Sequence, residues 1–312
     1  MASTLRRAGL GALAAVTALA CAAPAHATFP GRNGAIAFSH SGSSGGPGAI
    51  TDRYGLAVVA PGSPDMRDLI LCRKTDDVPS GGNCTVPLYG APSYSPDGRR
   101  IVFDAGERLA IVNADGSGLT LLPGATVNDG DPAFGPGGRR IVFTGTNDLG
   151  STDVYVRRLG GGQARVVASD ASEPAWSSRN TLAYVSEGKI YAARATGIRR
   201  RLVTAGASPD WSPDGRRLLL VRPLPTATVG LPLGRLYLVR ADGRGLRRIS
   251  RGRTLSNPVW SPDGRWFAYD AFDAGVHKRR VAGGKARVVA LSQQGSEGAF
   301  TASYGPTWRA RR

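Results

Sequence analysis

One short pattern limits what these 312 residues can fold into: Pro-x-aromatic, then a Ser-Pro-Asp-Gly-Arg turn, then an alternating apolar run. Aligned on the aromatic residue, the copies read "APSYSPDGRRIVF" from Ala91, "DPAFGPGGRRIVF" from Asp131, "EPAWSSRNTLAY" from Glu173, "SPDWSPDGRRLLLV" from Ser208 and "NPVWSPDGRWFAY" from Asn257. The aromatics Tyr94, Phe134, Trp176, Trp211, Trp260 and Trp308 are spaced by 40, 42, 35, 49 and 48 residues. That period corresponds to one four-stranded blade of a β-propeller.

Each copy divides into four pieces. Pro-x-aromatic is a first strand, and Ser-Pro-Asp-Gly turns the chain: Pro sets φ at the second position, Asp suits the third, and Gly takes the left-handed conformation. Second strands such as Ile101-Val102-Phe103, third strands such as Val154-Tyr155-Val156 and short outer strands such as Arg165-Val166-Val167 follow. Strand signals punctuated at this spacing argue for an all-β fold. Asp97, Asp214 and Asp263 each sit in their own turn, and Gly137 stands in the same place in the third copy, so they read as turn formers rather than acids or ligands. The six aromatics read as core between blades, each removing ~150–250 Å² from water.

The chain ends complement each other. The first copy opens at the turn, "GRNGAIAF" from Gly31, while the last piece, "GPTW" from Gly305, is a first strand with nothing after it. Pairing them predicts a composite blade that closes the ring and removes exposed sheet edges. The expected fold is an all-β, six-bladed β-propeller, closed by the N-terminal strands plus the Gly305–Trp308 strand and formed as one domain by residues 28–312.

Pro-x-Trp-Ser-Pro-Asp-Gly-Arg with its alternating strand resembles the repeat of TolB-type six-bladed propellers, also called WD-like repeats, over essentially all of residues 28–312. The resemblance implies a periplasmic scaffold that binds other envelope proteins. Two copies depart from the pattern: Asn180 replaces the turn glycine in the fourth, and Lys278-Arg279-Arg280 replaces an apolar third strand in the last.

Residues 1–27 read as a secretory signal peptide. Arg6-Arg7 precede an apolar stretch from Leu10 to about Ala23, and Ala25-His26-Ala27 offers a cleavage site before Thr28. Lipidation at Cys21 and twin-arginine export are rival readings whose motifs match less well. No later apolar run is long enough to span a bilayer. An exported, soluble monomer in the periplasm or outside the cell is expected, with no nucleic-acid partner. In an oxidising compartment, Cys72 and Cys84 are expected to form one local disulfide. A metal pair there would lack companions, since only His40 and His277 follow the cleavage site.

Charge is uneven. Residues 28–172 hold 13 Arg or Lys against 14 Asp or Glu, whereas residues 173–312 hold 25 against 9. Within the basic half, Arg199, Arg200, Arg201, Arg247, Arg248, Lys278, Arg279 and Arg280 form a candidate patch for an anionic polymer or lipid head groups, the alternative being an ordinary solvated surface.

Catalytic motifs are sparse. Gly42 to Gly46 match Gly-x-Ser-x-Gly in a Gly/Ser-rich loop, not in a strand-turn-helix elbow. Some serine peptidases carry such a propeller ahead of a hydrolase domain, which is not expected here because the closing strand comes last. In a blade, the loops joining strands one to two and three to four share one face and are tight here. The opposite face carries the long connections, 39–50, 73–90, 144–152, 222–234 and 291–304, and is where binding is expected. There the residues before each Pro, namely Ala91, Asp131, Glu173, Ser208, Asn257 and Gly305, would ring the channel mouth. The candidate ligand-binding set is Asp129, Asp131, Asp170, Glu173, Asp210 and Asn257, an acidic crescent suited to a cation or a basic group, with solvated loop carboxylates as the alternative.

No catalytic residue, metal ligand or cofactor is assigned. The sequence reads as a non-enzymatic binding module of the cell envelope or exterior that meets a protein or anionic polymer through its long-loop face. Its rival is a metal-dependent hydrolase or lactonase using carboxylates at the channel mouth, which three or more converging carboxylate or amide groups would favour.

Overall fold

The computed structural model describes residues 28–44, 51–63, 65–75, 90–224, 234–252, 255–271, 274–291, 293–294 and 300–311. The signal segment, Cys84 and the middles of four of the five long connections lie outside them. Cys72 belongs to the strand Met66–Thr75, but its expected disulfide with Cys84 therefore falls outside the described residues.

Among the described residues every regular element is a strand. Three four-stranded antiparallel sheets follow the chain in order: Gly90–Tyr94 to Thr120–Leu121, Asn128–Phe134 to Arg165–Ala168, and Ser172–Trp176 to Arg201–Ala205. A composite sheet joins the chain ends: Phe300–Arg311 pairs antiparallel with Arg32–Ser44, with Ile36 opposite Trp308 and Asn33 opposite Ala310. The Thr51–Val59, Met66–Thr75 and Gln293–Gln294 strands complete it.

Six separate blades are expected from the sequence, but among the described residues the hydrogen-bonded sheets number five. The last is eight-stranded: the unit from Ala207–Trp211 to Arg247–Arg248 and the unit from Leu255–Trp260 to Arg287–Ala290 are joined by a single pairing, Gly234 with Leu255. Gly234 also lies tight against its own unit's second strand, where a Cβ would overlap the Arg222 carbonyl. First strands of successive units pack in a cycle, from Phe300–Arg311 through Gly90–Tyr94, Asn128–Phe134, Ser172–Trp176, Ala207–Trp211 and Leu255–Trp260 back to Phe300–Arg311. The arrangement is propeller-like.

The repeated aromatics are the wedges between units. Trp176, Trp211 and Trp260 are fully buried. Trp211 packs with Ala183 and Val203 of the preceding unit and with Leu218 and Val239 of its own. Trp260 does the same with Leu219, Leu236 and Phe267.

The repeated turn is an ordered hydrogen-bonded unit. In three copies a serine hydroxyl donates to the turn Asp at 2.6 Å: Ser95 to Asp97, Ser212 to Asp214 and Ser261 to Asp263. Each Asp then accepts the N–H two residues on, from Arg99, Arg216 and Arg265. Each serine accepts the N–H of Arg100, Arg217 or Trp266. Partial burial raises the Asp97 and Asp214 pKa, but these hydrogen bonds outweigh it and hold both carboxyls below the usual range. Asp214→Ala should therefore cost about 1–2 kcal/mol in urea denaturation at pH 7. A carboxyl with a depressed folded pKa stabilises above its unfolded pKa, so the penalty should shrink as pH falls below about 4.

The doubled arginine has its own use. The second Arg of each pair lies over the aromatic of the next unit: Arg100 over Phe134 at 5.7 Å, Arg140 over Trp176 at 5.1 Å and Arg217 over Trp260 at 5.0 Å. Each cation–π contact ties one unit to the next. The first Arg of each pair, Arg99, Arg139 and Arg216, is exposed.

Candidate functional site: the inner ring of carboxyls

Proline biases the preceding residue toward extended backbone. All six pre-proline positions instead have positive φ: Ala91 50°, Asp131 48°, Glu173 51°, Ser208 49°, Asn257 47° and Gly305 61°. Left-handed backbone costs a non-glycine residue on the order of 1–2 kcal/mol. Each position coincides with a register shift between first and second strands, as between Gly130 and Ala133 or Ser256 and Val259. These are β-bulges, a device that re-aims side chains at the rims of barrels and beside functional sites.

Around this ring, five carboxyls are pushed up by burial. Asp104 rises to about 7, with Asp129 adding to the effect and the Gly106 N–H opposing it. Asp131 is raised well above the usual range, with Asp104 and Glu173 adding. Glu173 rises to about 7 although it accepts the Ser208 N–H. Asp270 rises to about 7 against hydrogen bonds from Gly305 N–H at 2.9 Å and Asn257 Nδ2 at 2.7 Å. Asp210 rises to about 8 against bonds from Trp260 N–H at 2.7 Å and Thr28 Oγ1 at 3.0 Å. Asp104 and Glu173 are the charges that act on Asp131. Oδ1 of Asp131, Asp210, Asn257 and Asp270, and Oγ of Ser208, are buried with no hydrogen-bond partner among the described residues. Once ionised, these carboxyls would offer unpartnered acceptors to a hydrogen-bonding cation.

The candidate set divides. Asp131, Glu173 and Asn257 belong to the ring. Asp210 lies two residues past its unit's bulge and clasps the next unit through Trp260. Asp129 does not face a ligand: its carboxylate takes the Ala125 and Thr126 N–H groups and the Thr126 hydroxyl, folding the loop before its strand. Asp170 is exposed and gives its N–H to Asp153. Asp104 and Asp270 were not in the set. Their signal was present, since each directly follows the aromatic of a second strand, in Phe103-Asp104 and Tyr269-Asp270.

The basic candidates also divide. Arg201 lines a groove of about 610 Å³ with Arg179, Arg216, Arg217, Arg240 and two aspartates, Asp214 and Asp242. Arg247 and Arg280 line a second, of about 530 Å³, with Arg217, Arg265 and Asp263. Both grooves lie at the tight turns, on the face away from the long loops. Arg199 is an exposed, left-handed turn residue with φ 58°. Arg200 stacks on Tyr191 at 3.8 Å. Arg248 donates to the Ser250 and Arg251 carbonyls, and Arg279 to those of Gly284 and Ile249. Lys278 is half-buried, and that burial lowers its pKa.

Gly42–Ser44 continue a strand paired with Thr51–Arg53 and form no elbow. His40 pairs with Asp68 at 2.8 Å and His277 stacks on Tyr269. Among the described residues no three His, Cys, Asp or Glu side chains are placed to hold one metal ion, and no helix is long and apolar enough to cross a membrane.

Solved structures share this fold. A protein from Agrobacterium tumefaciens assigned as TolB superposes with a TM-score of 0.60 at 16% identity, covering 85% of this chain and 98% of that one. TolB from Acinetobacter baumannii gives 0.63 at 13% identity, covering 89% and 67%. An oligogalacturonate lyase in complex with manganese gives 0.53 at 14% identity, covering 79% and 74%. These likenesses establish a TolB-like propeller fold. No family model and no curated protein matches the chain.

Proposed function

We propose that this chain is an exported, six-bladed, single-domain propeller that serves as a binding scaffold of the cell envelope or exterior, taking a cationic group of a protein partner into its acidic ring. The count of six treats the two units of the eight-stranded sheet as separate blades, supported by the cycle of first strands. The observation that carries the function is the set of buried carboxyl and amide oxygens without partners. The TolB structures support a scaffold, and the lyase supports the enzymatic alternative. Against the latter, the ring carboxyls are individually tied to backbone N–H groups or neighbouring side chains, and no three of them meet at one metal position among the described residues.

Crosslinked capture from the native envelope tests this reading, comparing the wild type with an Asp131→Asn/Glu173→Gln double variant. The variant should recover a specific partner at least tenfold less well. Equal recovery, or metal-dependent turnover of a sugar polymer or lactone by the wild type, would overturn it.

The Arg-lined grooves favour a second reading, an anionic polymer on the tight-turn face. Retention on heparin should then fall steeply with salt and weaken in Arg217→Ala, because Arg217 lines both grooves. Retention that persists unchanged into high salt would exclude an electrostatic contact.

A further inference from the structure

Thr28, expected to be the first residue after signal cleavage, is not at the surface. It is 1% exposed, and its Oγ1 donates to Asp210 Oδ2 at 3.0 Å and approaches the Trp260 carbonyl at 3.3 Å. Phe29 is buried in the cluster that contains Phe134 and Trp176. Gly31 N–H bonds the Pro262 carbonyl at 3.2 Å. Residues 28–31 thus reach from the third and fourth units to the fifth and sixth across the inner ring.

Asp210 is 0% exposed, and its Oδ1 has no partner among the described residues. No Arg or Lys charge offsets its burial, which pushes its pKa up to about 8. Such a carboxyl stays protonated near neutral pH, and its ionised form is unfavourable unless a positive charge arrives. The α-nitrogen of Thr28 is separated from its own Oγ1 by only the Cα and Cβ atoms, so a carboxylate in contact with that hydroxyl is within reach of the nitrogen. In the uncleaved chain that nitrogen is a neutral amide.

We propose that signal cleavage at Ala27–Thr28 creates an internal ligand: the new Thr28 ammonium pairs with Asp210 and locks the N-terminal segment across the inner ring. Hydrolysis adds one water to the Ala27–Thr28 amide, leaving a carboxylate on Ala27 and an amine on Thr28 that takes its proton from solvent. Removing the signal thereby supplies the charge that the folded propeller lacks. The idea rests on the expected cleavage position, but not on the proposed partner-binding role of the ring.

Intact-mass measurement of the exported protein should give a chain beginning at Thr28, and any other start overturns the proposal. Fusions cleaved to begin at Thr28 or at Ala27, each with Asp210 or Asp210→Asn, then form a double-mutant cycle. Asn can still accept the Trp260 N–H, so the substitution removes mainly the charge. The extra Ala27 should lower the folding constant more than tenfold with Asp210 and less than threefold with Asn. Equal factors in the two backgrounds would overturn the pairing. A wild-type measurement guards against a variant that does not fold: an amine-reactive reagent should label Thr28 at least tenfold more slowly than the exposed Lys189. Equal labelling rates would also overturn it.

Discussion

Replacing Trp260 by alanine should lower the stability of the folded chain by about 3–5 kcal/mol, measured by urea denaturation. The side chain is fully buried where two units of the eight-stranded sheet meet, among Leu219, Leu236, Leu238 and Phe267. Those neighbours belong to strands fixed by their own ladders, so they cannot collapse fully into the space left behind. The substitution also strips Arg217 of the ring it covers at 5.0 Å. Trp260→Phe should cost far less, about 1–2 kcal/mol, because it keeps a ring and removes an indole N–H that has no partner among the described residues. If alanine cost under 1 kcal/mol, the aromatic would not be a wedge between units.

Raising the pH from about 4 to about 7 should destabilise the protein, and the carboxyl ring sets that window. Asp104, Glu173 and Asp270 have folded pKa values raised to about 7, against ordinary values of 3.8 for Asp and 4.5 for Glu. Between about pH 4 and pH 7 the folded state holds protons that the unfolded state has released, so stability falls as pH rises through that window. Each group contributes at most on the order of a few kcal/mol, since one pKa unit corresponds to about 1.4 kcal/mol. Thermal melts should therefore give a higher Tm at pH 5 than at pH 8. The difference should narrow in an Asp104→Asn/Asp270→Asn variant, which cannot ionise at those positions. A Tm that rises from pH 5 to pH 8 would contradict raised carboxyl pKa values in the folded state. Asp210 is set apart because the Thr28 ammonium would hold it ionised in the processed chain.

Much of this architecture was legible in the sequence, since a repeated part repeats its physics. The spacing from Tyr94 to Trp308 located the wedges, and the mismatched ends at Gly31 and Gly305 foretold the composite sheet. The turn Asp residues, read as turn formers because Gly137 takes the same place in the third copy, do hold their turns by hydrogen bonds. What was not legible depends on contacts between copies. Gly234 meeting Leu255 merges two units into one sheet, and no single repeat records that. The role of the second Arg of each doublet was not legible, because its aromatic partner lies about 35 to 45 residues further on.

The candidate site was legible only in part for a similar reason. Pre-proline residues were expected to be extended, yet all six are left-handed, because the bulge that re-aims each first strand outweighs the local bias. Asp129 has the same composition signal as Asp131 but folds its own loop, a choice set by the positions of Ala125 and Thr126. Asp104 and Asp270 gave a positional signal directly after the aromatics of two second strands, visible once the repeat is extended by one residue.

If the ring is a seat for a cationic group, binding must displace protons, because carboxyls held near pH 7 by burial ionise when a positive charge enters. Titration calorimetry with a short oligolysine peptide at pH 6, repeated in two buffers of different ionisation enthalpy, measures that release. Binding with net proton release is expected, and both should diminish in the Asp131→Asn/Glu173→Gln variant. No binding, or binding with no proton release and no loss in the variant, would contradict a cation-binding ring.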